Sequence, residues 1–130
     1  MSDKTVAAKL RILPGTTVWV SDRARAVLLG PLPDGASLVG EVADARVAVV
    51  IADDAAAVRA AVTQGAVALG TVDSFWVVYP KGNRADINRD TLWPILAEYG
   101  FRPITQIAVD EVWSALWFRL LRDGEASFGN

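Results

Sequence analysis

Arg46-Val47-Ala48-Val49-Val50-Ile51-Ala52, the alanine-rich run from Asp53-Asp54 to Leu69, and Ser74-Phe75-Trp76-Val77-Val78-Tyr79 together decide the fold. The two short runs are apolar at successive positions, without the alternation of a half-exposed strand. Each therefore reads as a strand covered on both faces. The segment between them reads as a helix from about Asp54 to Leu69, with Asp53 as its N-cap. Strand, helix, strand is a βαβ unit, which makes the two strands parallel members of one sheet with a right-handed crossover.

Working outward, Thr16 to Val20 (Thr-Thr-Val-Trp-Val) is β-branched and aromatic, as a buried strand requires. Before it, Val6, Leu10 and Leu13 mark a short amphipathic helix from Thr5 to Ile12, ended by Pro14-Gly15. After it, Asp22 to Leu29 reads as a short helix, Gly30 to Gly35 as a turn cluster, and Leu38 to Val42 as a short strand. Downstream, Pro80 stops a strand and Lys81 to Asn88 is a polar loop. Asp90 to Tyr99 is a helix closed by Gly100. Ile104 to Val109 and Val112 to Leu120 are strands joined across Asp110-Glu111 as a two-residue hairpin. The expectation is one α/β domain over residues 1–121, mostly parallel with a C-terminal antiparallel hairpin, and a polar tail over 122–130.

Composition narrows the chemistry. The 130 residues contain no cysteine and no histidine. Thiol nucleophiles, disulfides, Cys/His zinc sites and imidazole general bases are excluded. With 13 basic and 15 acidic residues the net charge is −2, which gives no basic face for duplex nucleic acid. Met1-Ser2-Asp3-Lys4 is polar with no apolar stretch behind it, and no run is long enough to span a bilayer. The expected location is the cytoplasm, with no membrane and no nucleic-acid partner.

Leu10-Arg-Ile-Leu-Pro-Gly15 followed by an apolar strand resembles the entry of class I S-adenosylmethionine-dependent methyltransferases. The closing parallel strand, tight turn and antiparallel strand resemble their exit. A closer resemblance is to the domain-of-unknown-function family 3052. It is carried by Pro14-Gly15, Tyr79-Pro80-Lys81, Ala85-Asp86-Ile87-Asn88-Arg89-Asp90 and Ile107-Ala-Val-Asp-Glu-Val-Trp-Ser-Ala-Leu116. These small bacterial proteins have a reduced methyltransferase-like fold and no assigned activity. The resemblance spans Lys4 to Arg119, most specifically in the C-terminal half, and implies a Rossmann-like three-layer domain. It transfers a fold and not a function. One departure from the methyltransferases bears on activity. Where their first strand enters a glycine-rich turn, this chain reads Val20-Ser-Asp-Arg-Ala-Arg-Ala26, without glycine. Glu41 stands where the second strand would offer an acid to the ribose.

In open α/β sheets ligands sit at the carboxyl ends of the parallel strands. The candidate rim there comprises Asp22, Arg23, Asp53, Lys81, Arg84, Arg89, Asp110 and Glu111. Helix capping and solvation explain much of this set; a mixed-charge pocket for a small anionic ligand is the functional alternative. Lys81, Arg84 and Arg89 around the loop 80–90 are its cationic part, with the next helix start adding exposed amides. Asp53, Asp54, Asp110 and Glu111 offer oxygen to a metal, but no further ligand supports one, so none is expected. Trp19 and Trp76 lie among apolar strand residues and read as core. On the last strand Trp113, Ala115, Trp117 and Arg119 share one face and Ser114, Leu116, Phe118 and Leu120 the other, so both faces need cover. A second copy of the chain is one such cover. The leading expectation is a non-catalytic domain that binds a small ligand or a protein, without a cofactor. The alternatives are a divergent S-adenosylmethionine-dependent methyltransferase and a structural interaction module.

Overall fold

The computed structural model describes residues 6–81, 87 and 89–120, the side chains of residues 66, 67 and 89 excepted. The deciding runs form strands β3 (Val47–Ile51) and β4 (Ser74–Pro80), each buried at every position. They pair in parallel from Val47↔Ser74 to Ile51↔Val78 and are connected by helix α2 (Ala55–Leu69). Upstream, β1 (Thr17–Val20) pairs in parallel with β3 on one side and with the short β2 (Ser37–Leu38) on the other. Downstream, helix α3 (Arg89–Ala97) leads into β5 (Phe101–Ala108) and β6 (Trp113–Leu120). β6 runs antiparallel between β4 and β5, so the order is β2-β1-β3-β4-β6-β5. The expected α/β, Rossmann-like architecture is present, antiparallel pair included.

The strand period of two divides the core into layers. From β4, Phe75, Val77 and Tyr79 face α2 and α3, where they meet Val58, Val62, Leu92 and Leu96. Trp76 and Val78 face the opposite layer, built from helix α1 (Val6–Lys9) and the 3-10 turn Arg23–Leu29. β6 divides as its sequence implies, Leu116 and Phe118 to the first layer, Ala115 and Trp117 to the second. Phe75 meets Phe101 edge-on at 5.1 Å, and Trp76 stacks on its cross-strand neighbour Trp117 at 5.5 Å. Phe75, Phe101 and Trp76 are fully buried, and each contributes about 1.5–3 kcal/mol.

Four local expectations need correction. The first helix ends at Lys9, earlier than Ile12. Ile12 N–H donates to Ala7 C=O at 2.9 Å and Arg11 N–H to Ala8 C=O at 3.1 Å, a Schellman ending with Arg11 at φ +62°. The second strand covers only Ser37–Leu38, because Val42–Asp44 coils into a 3-10 turn that packs against α2. The hairpin is longer than two residues: Val109 N–H closes on Trp113 C=O at 3.0 Å, and Asp110 Oδ1 accepts from the amides of Val112 and Trp113. The side-chain cap on α2 is Asp54, whose Oδ1 accepts from Ala57 N–H at 2.9 Å. Ala52 N–H is already committed to Val78 C=O at 3.0 Å, which carries the extended backbone one residue further and moves the cap from Asp53 to Asp54.

Candidate functional site

The order β2-β1-β3-β4 sets the point of interest. The chain leaves β1 for β2 at the sheet's edge, then crosses back to β3 and continues to β4. Adjacent strands whose connections leave in opposite directions open a crevice at their carboxyl ends, and here those strands are β1 and β3.

That crevice is drawn shut by three sets of contacts. At the base, Ser21 N–H donates to Val49 C=O at 2.9 Å and Ser21 Oγ accepts from Ile51 N–H at 2.8 Å, so the exit of β1 is laced to β3. Above this, Asp22 caps the 3-10 turn by accepting from Ala24 N–H at 3.1 Å. Across the gap, Arg25 from that turn places both terminal guanidinium nitrogens on Asp53, at 2.7 and 2.9 Å. Its Nε lies 3.5 Å from Asp22, and its guanidinium sits 5.4 Å from the ring centre of Trp113 on β6. The hydrogen bond from Arg25 holds the Asp53 carboxyl below its ordinary range, with the positive charge adding and partial burial opposing. The same bond raises Arg25.

The predicted rim is therefore divided. Asp22 and Asp53 come together around Arg25, which engages both while their side chains stay 43% and 60% exposed. Arg23 is exposed on the 3-10 turn, and Glu111 is exposed in the hairpin. Asp110 is occupied with turn amides. Lys81 leaves β4 with its N–H on Val112 C=O at 2.7 Å, and lines a cavity of about 870 Å³ with Asp90, Trp93, Gln106 and Ser114. Arg84 lies outside the described residues; Arg89 opens α3, but its side chain is outside them too. Among the described residues no three acidic groups gather as metal ligands, and no helix is long and apolar enough to cross a membrane.

Sequence reasoning missed Arg25 and Trp113. The available signal was Asp22-x-x-Arg25, a spacing that places the two side chains together on a helical turn. Nothing local pointed to Asp53 or to Trp113, which are far away in the chain. Glu41, at the exit of β2, is exposed and lines a separate cavity of about 360 Å³ with Trp19, Ser21, Val42 and Gly65.

A class I methyl donor needs an open, glycine-lined turn after the first strand, so that the backbone can approach it. Here the turn is filled by Asp22, Ala24 and Arg25 and tied to Asp53. These residues do not fit that cofactor.

Solved structures share the architecture. A protein of the NADB-Rossmann superfamily from Streptococcus agalactiae aligns at TM-score 0.59 and 12% identity, over 98% of this chain and 72% of that one. A proposed tRNA (m1A22) methyltransferase of Streptococcus pneumoniae aligns at 0.57 and 12%, over 98% and 74%. The Bacillus subtilis m1A22 tRNA methyltransferase TrmK aligns at 0.56 and 12%, over 97% and 71%. Identities this low show the fold alone. No family model matches the chain, and no curated protein matches it.

Proposed function

We propose that this chain is a non-catalytic domain on a methyltransferase-like scaffold, of the kind its resemblance to the domain-of-unknown-function family 3052 implies, binding a small anionic ligand or a protein partner. One observation carries the reading: the Arg25 fork on Asp53, across the crevice where this architecture receives a nucleotide-like ligand. Binding a donor there would cost the fork, the cap at Asp22 and the contact with Trp113 together. Lys81 and its cavity are then the part of the rim that stays open to an anion. A protein partner, a second copy of the chain included, would meet the half-buried Trp113 and Trp117 on β6.

The test is S-adenosylmethionine at about 1 mM in a thermal melt. A donor bound with a dissociation constant of about 10 μM would add about 2.7 kcal/mol of stability, on the order of 10 °C for a domain of this size. The expected result is no shift, in the wild type and after Arg25→Lys alike. A clear shift in the wild type, or methyl transfer to any acceptor, overturns the reading.

The second reading, a divergent methyltransferase, is favoured by the cavity beside Glu41. Its volume falls within the usual range for small-molecule pockets. In that reading Glu41 holds a ribose, and the same melt should then show a shift in the wild type that is lost on Glu41→Gln.

A further inference from the structure

The opposite end of the molecule carries a cleft that none of the rim residues enters. It holds about 670 Å³ beside α1, at the amino ends of β3 and β4. Ile107 and Trp117 form its apolar wall, and Lys9, Arg11, Arg46 and Asp73 its charged one. Three cations against one carboxylate is a local excess of positive charge in a chain whose net charge is −2.

The cations are weakly committed. Arg46 approaches Asp73 only to 3.4 Å, with the two side chains 72% and 67% exposed. An exposed pair of this length holds its partners loosely. Among the described residues Lys9 Nζ donates only to the carbonyl of Ala108, at 3.3 Å. Among the described residues no carboxylate lies within ion-pair distance of Lys9 or Arg11.

Arg11 is the most informative. Its φ of +62° is a region that side-chain-bearing residues avoid and glycine enters freely. The helix ending needs that backbone turn, yet an arginine occupies it. Its guanidinium lies 4.6 Å from the ring centre of Trp117, itself stacked on Trp76. The aromatic face thus holds an exposed guanidinium at the wall of the cleft through a weak cation–π contact. Arginine forks of this kind grip oxyanions through two parallel hydrogen bonds. Low-dielectric walls concentrate the field of such charges into the cleft.

We infer that this cleft is a ligand site for a small polyanion, one carrying two or more phosphate or carboxylate charges on a compact body. It shares Ile107 with the Lys81 cavity but none of that cavity's charged residues, and stands or falls without the cavity or the crevice.

The experiment is thermal melting and tryptophan fluorescence of the whole chain with inorganic pyrophosphate and, separately, citrate. Ionic strength is matched throughout with sodium chloride. Arg11→Gly removes the charge while keeping the backbone turn, and Arg46→Gln removes the second cation from an exposed position. A saturable melting shift with pyrophosphate, citrate or both, weakened at least tenfold in each variant, supports the inference and identifies the anion class. No shift with either anion overturns it. So does a shift that both variants retain at full affinity, since that ligand binds elsewhere.

Discussion

Arg25 and Asp53 join the two sides of the crevice through one pair of side chains. Both termini of the guanidinium are engaged, yet the Asp53 side chain is 60% exposed, so solvent screens the pair. Its contribution to stability is about 0.5 kcal/mol, or about 2 °C in melting temperature. The sign with pH follows from the direction of the shift. The folded state holds the Asp53 carboxyl below its ordinary value, so the unfolded chain takes up the proton first as the solution is acidified. The stabilisation is present above the ordinary carboxylate range, about pH 4, and is lost as pH falls through the depressed value. Wild type should therefore melt above Asp53→Asn at neutral pH, with the gap closing as pH falls below the ordinary carboxylate range and shrinking in high salt. A gap unchanged in acid would mean that Asp53 acts through packing and not through charge. The absence of glycine after β1 was visible in the chain. The plug itself was not, because it joins positions 28 residues apart and the partner could be found only once the sheet order was known.

At the level of elements, strongly patterned segments were legible and short ones were not. β3 and β4 are unbroken apolar runs, α2 is a long alanine-rich segment and β6 is apolar on both faces, so length and composition mark each of them. β2 pairs over two residues and α1 runs for four, so neither has a period to read. The start of α2 is a different failure. Asp53 and Asp54 are equally good caps by residue type, and the choice was made by a neighbouring strand, when Val78 C=O took the Ala52 amide. The consequence reaches the crevice, since Asp53, relieved of the cap, gives both carboxylate oxygens to Arg25. Asp54→Ala should cost about 1 kcal/mol, roughly 4 °C, while Asp53→Ala should cost no helix cap. Amide exchange distinguishes them: protection at Ala57 should drop in Asp54→Ala and stay in Asp53→Ala. Equal loss in both would return the cap to Asp53.

Across the whole molecule, the sheet is the common wall of two cores. Adjacent residues of β4 serve opposite layers, Phe75 the one beneath α2 and α3, Trp76 the one beneath α1. The strand order was beyond the sequence for the same reason: runs buried on both faces present the same pattern to either neighbour, so nothing in them says which lies beside which. The shared wall also fixes how the molecule fails. Neither layer keeps its apolar surface covered if the sheet opens, and the layer around α1 has too little helix to persist alone. The two cores should melt as one cooperative unit. Phe75→Leu, which trims only the α2 side, provides the check in a chain that also carries Trp19→Phe and Trp93→Phe, since the remaining Trp76, Trp113 and Trp117 lie on the other side. Backbone circular dichroism and tryptophan fluorescence should shift to lower denaturant together, by a loss of about 1–3 kcal/mol, with an unchanged slope. If the fluorescence midpoint stayed at the wild-type value while the backbone signal moved, the layers would be separate folding units.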